Sequence, residues 1–181
     1  MRKRYCIVAQ IALLLWFFLD MTGLYFGNKC LVTRSYKEDG IFFLIYLITI
    51  ILFLIKENIG KYIVIGWMSM WLVIQLMCHE WYIIFNSGFM GSLDGKIKHF
   101  SETIHWIDVE GKYIPDVYHT ILHILILCTL TITIIYSIRN RRKTLILVDK
   151  ETGVNYLCWK SGYGAGVTPL LDSEGKVIVT K

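Results

Sequence analysis

The sequence lacks the short motifs that identify the common enzyme families. Its 181 residues contain no H-E-x-x-H, no G-x-S-x-G and no G-x-G-x-x-G, and none of the five cysteines forms a C-x-x-C pair. These motifs depend on fixed spacing, because each places a base, a nucleophile, a phosphate cradle or a thiol pair at a defined point of a helix or turn. Their absence leaves enzyme activity undecided and favours a protein that is not an enzyme.

The basic residues also lack the arrangement that nucleic-acid binding requires. The net charge is +5, and the lysines and arginines stand in short clusters beside apolar runs. Proteins that bind single strands instead combine a basic groove with aromatic side chains on which bases stack. We therefore expect the lipid bilayer, and no nucleic acid, to be the main partner.

Hydrophobic residues make up 55% of the chain, above the roughly 45–50% of soluble domains. Their runs predict four membrane spans, at about residues 5–26, 41–55, 62–85 and 117–138. About 15 helical residues reach only about 22 Å, against a hydrocarbon core of about 30 Å, so the second span must thin the bilayer or anchor at its ends. The first run has no A-x-A-like cleavage site, which favours a retained span over a signal peptide.

Clusters of basic residues at 2–4 and 139–143 flank the first and last spans. The positive-inside rule places such clusters in the cytoplasm. The predicted fold is therefore an all-α membrane bundle of four transmembrane helices in the cell membrane, residues 1–143, with both termini cytoplasmic. A small all-β cytoplasmic C-terminal domain follows at residues 144–181.

The outer connection between the third and fourth spans has a helical pattern at about residues 94–108. Four apolar residues recur on one face of this segment: Ile97, Phe100, Ile104 and Ile107. This spacing is typical of an amphipathic helix. We predict that it lies on the outer membrane surface; the alternative is a helix packed on the other outer loop.

The tail alternates short β-branched and aromatic runs with turn residues, which predicts a β-meander. Its segments VDKETGVNYL (148–157) and SGYGAGVTPLLD (161–172) resemble a family of short, uncharacterised bacterial β proteins. The resemblance implies a domain boundary and adds no chemistry. The role that we expect for this domain is to bind a protein partner. Segment 113–123 together with His79 is similar to uncharacterised four-span bacterial membrane proteins, which adds no function.

Polar residues at similar depth in the spans form the candidate site. They are Asp20, Gln75, His79, Glu80, Tyr82, Asp116, His119 and His123. At 1.5 Å per helical residue, all except Gln75 lie within roughly 10 Å of the outer boundary. Gln75 and Tyr82 share one helical face of the third span with His79. Ionisable groups inside apolar spans are costly and usually mark a function.

Three interpretations of this cluster remain open. The side chains can hydrogen-bond between helices and hold the bundle together. His79, His119 and His123 can bind a metal or haem, as in a redox protein, since two of them stand at i, i+4. The cluster can also line a proton or ion path in a small transporter. In each case we expect His79 and His123 to be neighbours.

Overall fold

A computed structural model of the chain describes residues 2–88, 91–140, 143–161 and 164–180. The chain forms two compact units, Met1–Ile135 and Tyr136–Lys181. The helices are α1 (Lys3–Thr22), α2 (Gly40–Ile55), α3 (Glu57–Cys78), α4 (Glu80–Phe85), α5 (Leu93–Phe100) and α6 (Val117–Arg139). A short antiparallel hairpin, β1 (Leu24–Phe26) and β2 (Lys29–Val32), follows α1.

Within the described residues, three helical stretches are long and apolar enough to cross a membrane. They are Lys3–Thr22, Glu57–Phe85 and Val117–Arg139. The second of these combines α3 and α4, which are separated only by His79. Helix α2 is apolar but shorter, at 16 residues. The prediction of membrane-length apolar helices is thus confirmed for three of the four segments.

The helical unit exposes many aliphatic side chains and buries several polar ones within its apolar core. On α1, Val8 and Leu15 are 64% and 63% exposed, whereas Gln10 is completely buried. The Gln10 side chain donates to the Thr133 hydroxyl at 3.1 Å and accepts from the Tyr46 hydroxyl at 2.6 Å. Exposed aliphatic side chains and hydrogen bonds between buried polar groups are expected for a helical bundle in lipid.

Two helices of this unit are shorter than the apolar pattern predicts. Helix α1 ends at Thr22 rather than near residue 26, because Gly23 adopts φ +73° and the chain turns into the hairpin. Helix α5 ends at Phe100 rather than near residue 108. There the Ile104 amide donates to the Cys30 carbonyl at 2.9 Å, so the chain after α5 pairs with β2.

The second unit is an antiparallel sheet with strand order β3 (Lys143–Val148), β4 (Asn155–Ser161) and β5 (Gly164–Pro169). The chain end returns beside it, where the Asn155 amide donates to the Ile178 carbonyl at 3.0 Å. The prediction of a small C-terminal antiparallel sheet is confirmed. Of the glycine-rich stretch between β4 and β5, residues 162 and 163 lie outside the described residues.

Candidate functional site

The candidate site lies where the helix break at His79 meets the start of α6. His79 has φ −123° and ψ −67°, which ends α3 and redirects the chain into α4. The break carries the buried imidazole of His79 towards the first turn of α6. Its ring stacks on that of His119, with centroids 4.3 Å apart, and lies edge-on to that of His123 at 5.2 Å. His79 and His123 are therefore neighbours, as their similar depth predicts.

His79 also binds a residue of the loop before α6. Its Nδ1 shares a hydrogen bond with the Tyr113 hydroxyl, and both side chains are buried. Burial raises the pKa of Tyr113 above its usual range, so the phenol is protonated and able to donate. The polar partner of His79 is thus Tyr113, which the sequence did not predict, and its neighbour His123 makes only ring contact with it.

Asp116 and His119 form a compact pair at the start of α6. Oδ1 of Asp116 accepts from the backbone amide of His119 at 2.8 Å and pairs with ring Nδ1 at 2.7 Å. Burial by itself would raise the pKa of Asp116, but the hydrogen bonds and charge of His119 outweigh it and lower that pKa. A carboxylate before the first helical residue is also a favourable N-cap.

Thr103 is a second neighbour of the Asp116 carboxylate. Asp116 is 1% exposed, and its Oδ2 has no hydrogen bond of normal distance and angle among the described residues. The Thr103 side chain nevertheless helps to lower the pKa of Asp116, and its hydroxyl also donates to the Phe100 carbonyl at 2.7 Å. The carboxylate is thus enclosed by the protein.

His123 ties three helices together beside this pair. Its Nδ1 lies 2.6 Å from Oε1 of Glu80 on α4, and its Nε2 lies 3.2 Å from Oε1 of Gln75 on α3. Both ring nitrogens of this α6 residue are therefore engaged by the protein. This arrangement stabilises the packing of α6 against the broken helix.

A pair of carboxyl groups faces the histidines from the first two helices. Asp20, in the last turn of α1, is buried and hydrogen-bonds Asp39 and Ser35. Asp39 immediately precedes α2, and burial raises its pKa even though the hydrogen bond from Asp20 lowers it. Two carboxyl groups in contact are stable when they share a proton. The sequence identified Asp20 but missed Asp39, whose place before an apolar helix marks it only as a cap.

Helix α5 packs over the helix break through Lys96. The Lys96 ammonium donates to the Cys78 carbonyl at the end of α3 and lies 4.6 Å from the ring centre of Tyr82 and 5.4 Å from that of Tyr113. Burial lowers the pKa of Lys96. Tyr82, one of the candidate residues, therefore packs against the Lys96 ammonium. Its hydroxyl donates to the Gly91 carbonyl at 3.0 Å.

Some of these groups border a cavity of about 580 Å³. Five of the eight candidate residues line it: Asp20, Gln75, His79, Asp116 and His119. Glu80, Tyr82 and His123 are not on its wall. Sequence reasoning missed Asp39 and the aromatic side chains that complete the wall, because none of them interrupts an apolar span.

The histidines do not form a recognisable metal site. Within the described ranges, no three histidine, cysteine, aspartate or glutamate side chains are placed as metal ligands. Nδ1 of each candidate ring is paired within the protein, with Tyr113 for His79, Asp116 for His119 and Glu80 for His123. The contacts are those of a hydrogen-bonded cluster.

Comparison with known proteins identifies only the tail. Residues 132–180 match a family of unknown function (DUF6440). The match covers the β unit and the end of α6, which agrees with the resemblance of the tail to an uncharacterised family. No curated protein and no solved structure matches the chain.

Proposed function

We propose that the chain is a four-span protein of the cell membrane, with both termini cytoplasmic, that binds a small ligand in a pocket opening on the outer side. The pocket is the cavity lined by Asp20, Asp39, His79, Asp116 and His119. The observation that carries this proposal is the cavity of about 580 Å³ itself, whose wall combines these polar side chains with the rings of Phe42, Trp71 and Phe100. A mostly apolar cavity of this size with a few polar groups is typical of small-molecule sites.

In this proposal α2 is the second span, and it is shorter than the other three. Sixteen helical residues reach about 24 Å, which local thinning of the bilayer can accommodate. Its close packing on α3 supports a shared membrane environment, because a Cβ on Gly60 would lie 2.5 Å from the Leu52 carbonyl oxygen. The basic runs at 2–4 and 139–143 favour cytoplasmic termini, which places the pocket outside.

Interhelical bonding and ligand binding are compatible roles for this cluster. His123 uses both ring nitrogens for Glu80 and Gln75, which serves the packing of the bundle. Asp116, His119 and the acid pair instead border open space. Some of the predicted residues therefore hold the helices together, and others line the cavity in which we propose that the ligand binds.

Cysteine labelling in intact cells tests the side on which the pocket opens. Glu38 is exposed at the pocket wall, and Lys56 is exposed in the turn between α2 and α3. We expect a membrane-impermeant maleimide to label Glu38→Cys in intact cells and Lys56→Cys only after permeabilisation. Labelling in the reverse order would show that the pocket opens into the cytoplasm. Both variants are compared with the unsubstituted chain, which reports labelling of the native cysteines.

We also propose that the β unit is a cytoplasmic binding module for a protein partner. Ile146 on β3 and Trp159 on β4 are 63% and 52% exposed, and β3 has one open edge in the described sheet. Exposed apolar strands with an unpaired edge are typical sites for another chain. Proximity crosslinking in cells tests this role, and Ile146→Lys should reduce the crosslinked product if β3 is the contact. Unchanged crosslinking would argue against that surface.

A further inference from the structure

We infer that the protein partner of the β unit is a second copy of this chain, bound edge to edge through β3 in an antiparallel pairing with its two-fold axis at Ile146. This pairing specifies the partner that we propose for the β unit above, and it rests on that proposal. Three features of β3 lead to it: an unprotected edge, a regular set of outward-facing backbone groups and a side-chain order that is complementary to itself.

The two outer strands of the described sheet differ in how far they resist pairing. Strand β5 has the sequence GAGVTP, with two glycines and a terminal proline. Such residues weaken an edge strand as a template for another chain. Strand β3 has neither between Thr144 and Val148, and no charged residue in that stretch. Its apolar residues Leu145, Ile146, Leu147 and Val148 are 56%, 63%, 48% and 48% exposed, so β3 is the edge that requires a cover.

The hairpin between β3 and β4 fixes which backbone groups of β3 face outward. The Asp149 amide donates to the Val154 carbonyl at 2.9 Å, so these two residues form a hydrogen-bonded pair. Such pairs alternate along an antiparallel ladder, and residues 147 and 145 therefore bond to β4 in the same way. Thr144, Ile146 and Val148 direct their amides and carbonyls away from β4, to the side where β3 has no neighbouring strand in the described sheet.

The spacing of these outward groups suits a second copy of β3. With the axis at Ile146, the two Ile146 residues exchange both backbone hydrogen bonds, and Thr144 of each copy pairs with Val148 of the other. All three outward-facing residues are then bonded. A register centred on Leu145 or Leu147 would pair only two of them with each other. The backbone therefore favours the axis at Ile146.

The side chains agree with this register. Leu145 of each copy faces Leu147 of the other in a non-hydrogen-bonded pair, where cross-strand side chains lie closest and apolar pairs stabilise the sheet. One step further out, position 143 faces position 149, and the sequence has a basic residue at the first and an acidic one at the second. Opposite charges in such a pair are favourable. The strand is thus complementary to itself in backbone, apolar and charged groups.

The membrane makes up for the small size of this contact. Pairing of one short strand buries less than the roughly 800 Å² per partner of a standard interface. Two copies whose helical units share one membrane are confined to the same surface, and this confinement raises their effective concentration. A contact that would be weak between free domains is therefore sufficient between anchored chains.

Disulfide formation between full-length chains in isolated membranes tests the register. Copper phenanthroline is the oxidant, and the unsubstituted chain gives the background from native cysteines. Ile146→Cys should give disulfide-linked dimer at least about 5-fold above background, since the paired Cα atoms lie about 5.5 Å apart, within the range of about 4.4–6.8 Å that a disulfide requires. Val148→Cys alone is the matched control, because the two copies of residue 148 lie four positions out of register, about 13 Å or more apart.

A mixed pair completes this test. Chains with Thr144→Cys and chains with Val148→Cys, carrying different tags, should form the mixed dimer, whereas neither variant should crosslink with itself. Absence of dimer above background, or equal dimer from Val148→Cys and Ile146→Cys, would overturn the inference. If Ile146→Cys instead forms a product whose mass is not twice that of the chain, a different protein binds β3. That result would reject the second copy and keep the proposed binding module.

Co-precipitation of two differently tagged full-length copies from mild detergent extracts measures pairing without added cysteines. Ile146→Lys in both copies places like charges at the axis and should lower the co-precipitated fraction by roughly 5-fold or more. Thr168→Lys is the matched control, because Thr168 is exposed on β5 in the same cross-strand row as Ile146 and Leu157. It should leave the fraction unchanged. Full co-precipitation of the Ile146→Lys copies, equal loss in both variants, or no co-precipitation of the unsubstituted chain would each contradict the pairing through β3.

Discussion

The buried polar side chains of the helical unit find their partners across helices. Gln10 joins α1 to α6 and α2, His123 joins α6 to α3 and α4, and His79 joins the helix break to the loop before α6. Each contact removes a desolvation penalty that an unpaired group would incur. At the scale of single residues, stability and site geometry therefore depend on the same hydrogen bonds.

The His79–Tyr113 contact gives the first prediction. Tyr113→Phe keeps the ring but leaves Nδ1 of His79 without its partner, which should lower the free energy of unfolding by about 1–3 kcal/mol. Thermal unfolding in detergent, followed by circular dichroism, measures the change. Tyr36→Phe is the control, because the ring of Tyr36 is exposed and should lose little. Equal stability of both variants would show that the contact contributes nothing.

The raised pKa of Asp39 gives a pH-dependent prediction. Because burial favours its neutral form, the contribution of this group to stability is complete below the unfolded pKa of about 4 and is lost as pH rises through the folded value. Asp39→Asn should therefore be more stable than the parent chain at pH 8, and the difference should shrink towards pH 4. The change is read from midpoints of thermal unfolding between pH 4 and pH 8. A difference that does not vary with pH would contradict it.

The close approach of α2 and α3 is the main feature at the scale of elements. The two helices meet in a tight turn at Lys56, and Gly60 is buried against the backbone of Phe53. A side chain at this position would separate the helices. The short α2 thus depends on α3 for its place in the bundle.

Gly60→Ala should destabilise the helical unit by about 1–3 kcal/mol, since its Cβ would overlap the α2 backbone. Gly66→Ala on the same helix is the matched control, because nothing lies within 4 Å of the added carbon. Alanine there should leave stability unchanged or raise it slightly. Unfolding midpoints in detergent compare the two variants. If they coincide, the close packing of α2 on α3 is not a source of stability.

The whole chain consists of two compact units that differ in secondary structure. Met1–Ile135 is helical with an apolar exterior, whereas Tyr136–Lys181 contains the antiparallel sheet. The match to a family of unknown function covers residues 132–180, close to the second unit. The two units are thus distinct in composition and in contacts.

This division predicts that the tail is dispensable for insertion. A chain lacking residues 144–181 retains the basic residues up to 143 and the contacts within the helical unit. We expect it to reach the membrane fraction at the level of the full chain, as judged by carbonate extraction and immunoblotting of an N-terminal tag. Loss of the inserted protein would show that the helical unit requires the tail.

Local sequence patterns were sufficient to predict several of the helices and strands. Long apolar runs predicted α1, the α3–α4 stretch and α6, and alternating β-branched residues predicted the C-terminal sheet. Polar residues in and beside the apolar spans likewise pointed to five residues of the cavity wall. These features could be predicted because helix and strand periodicity, and the cost of polar groups in lipid, act within a short segment.

The pairing of those residues depends on the tertiary fold. Asp39 faces Asp20, Tyr113 binds His79, and Lys96 reaches the Cys78 carbonyl, although each pair is separated by at least 18 positions in the chain. The end of α5 was likewise decided by pairing of Ile104 with Cys30, which competes with the helix that the apolar spacing favours. Contacts between distant segments depend on helix packing and loop paths, and the periodicity of a single segment carries no information about them.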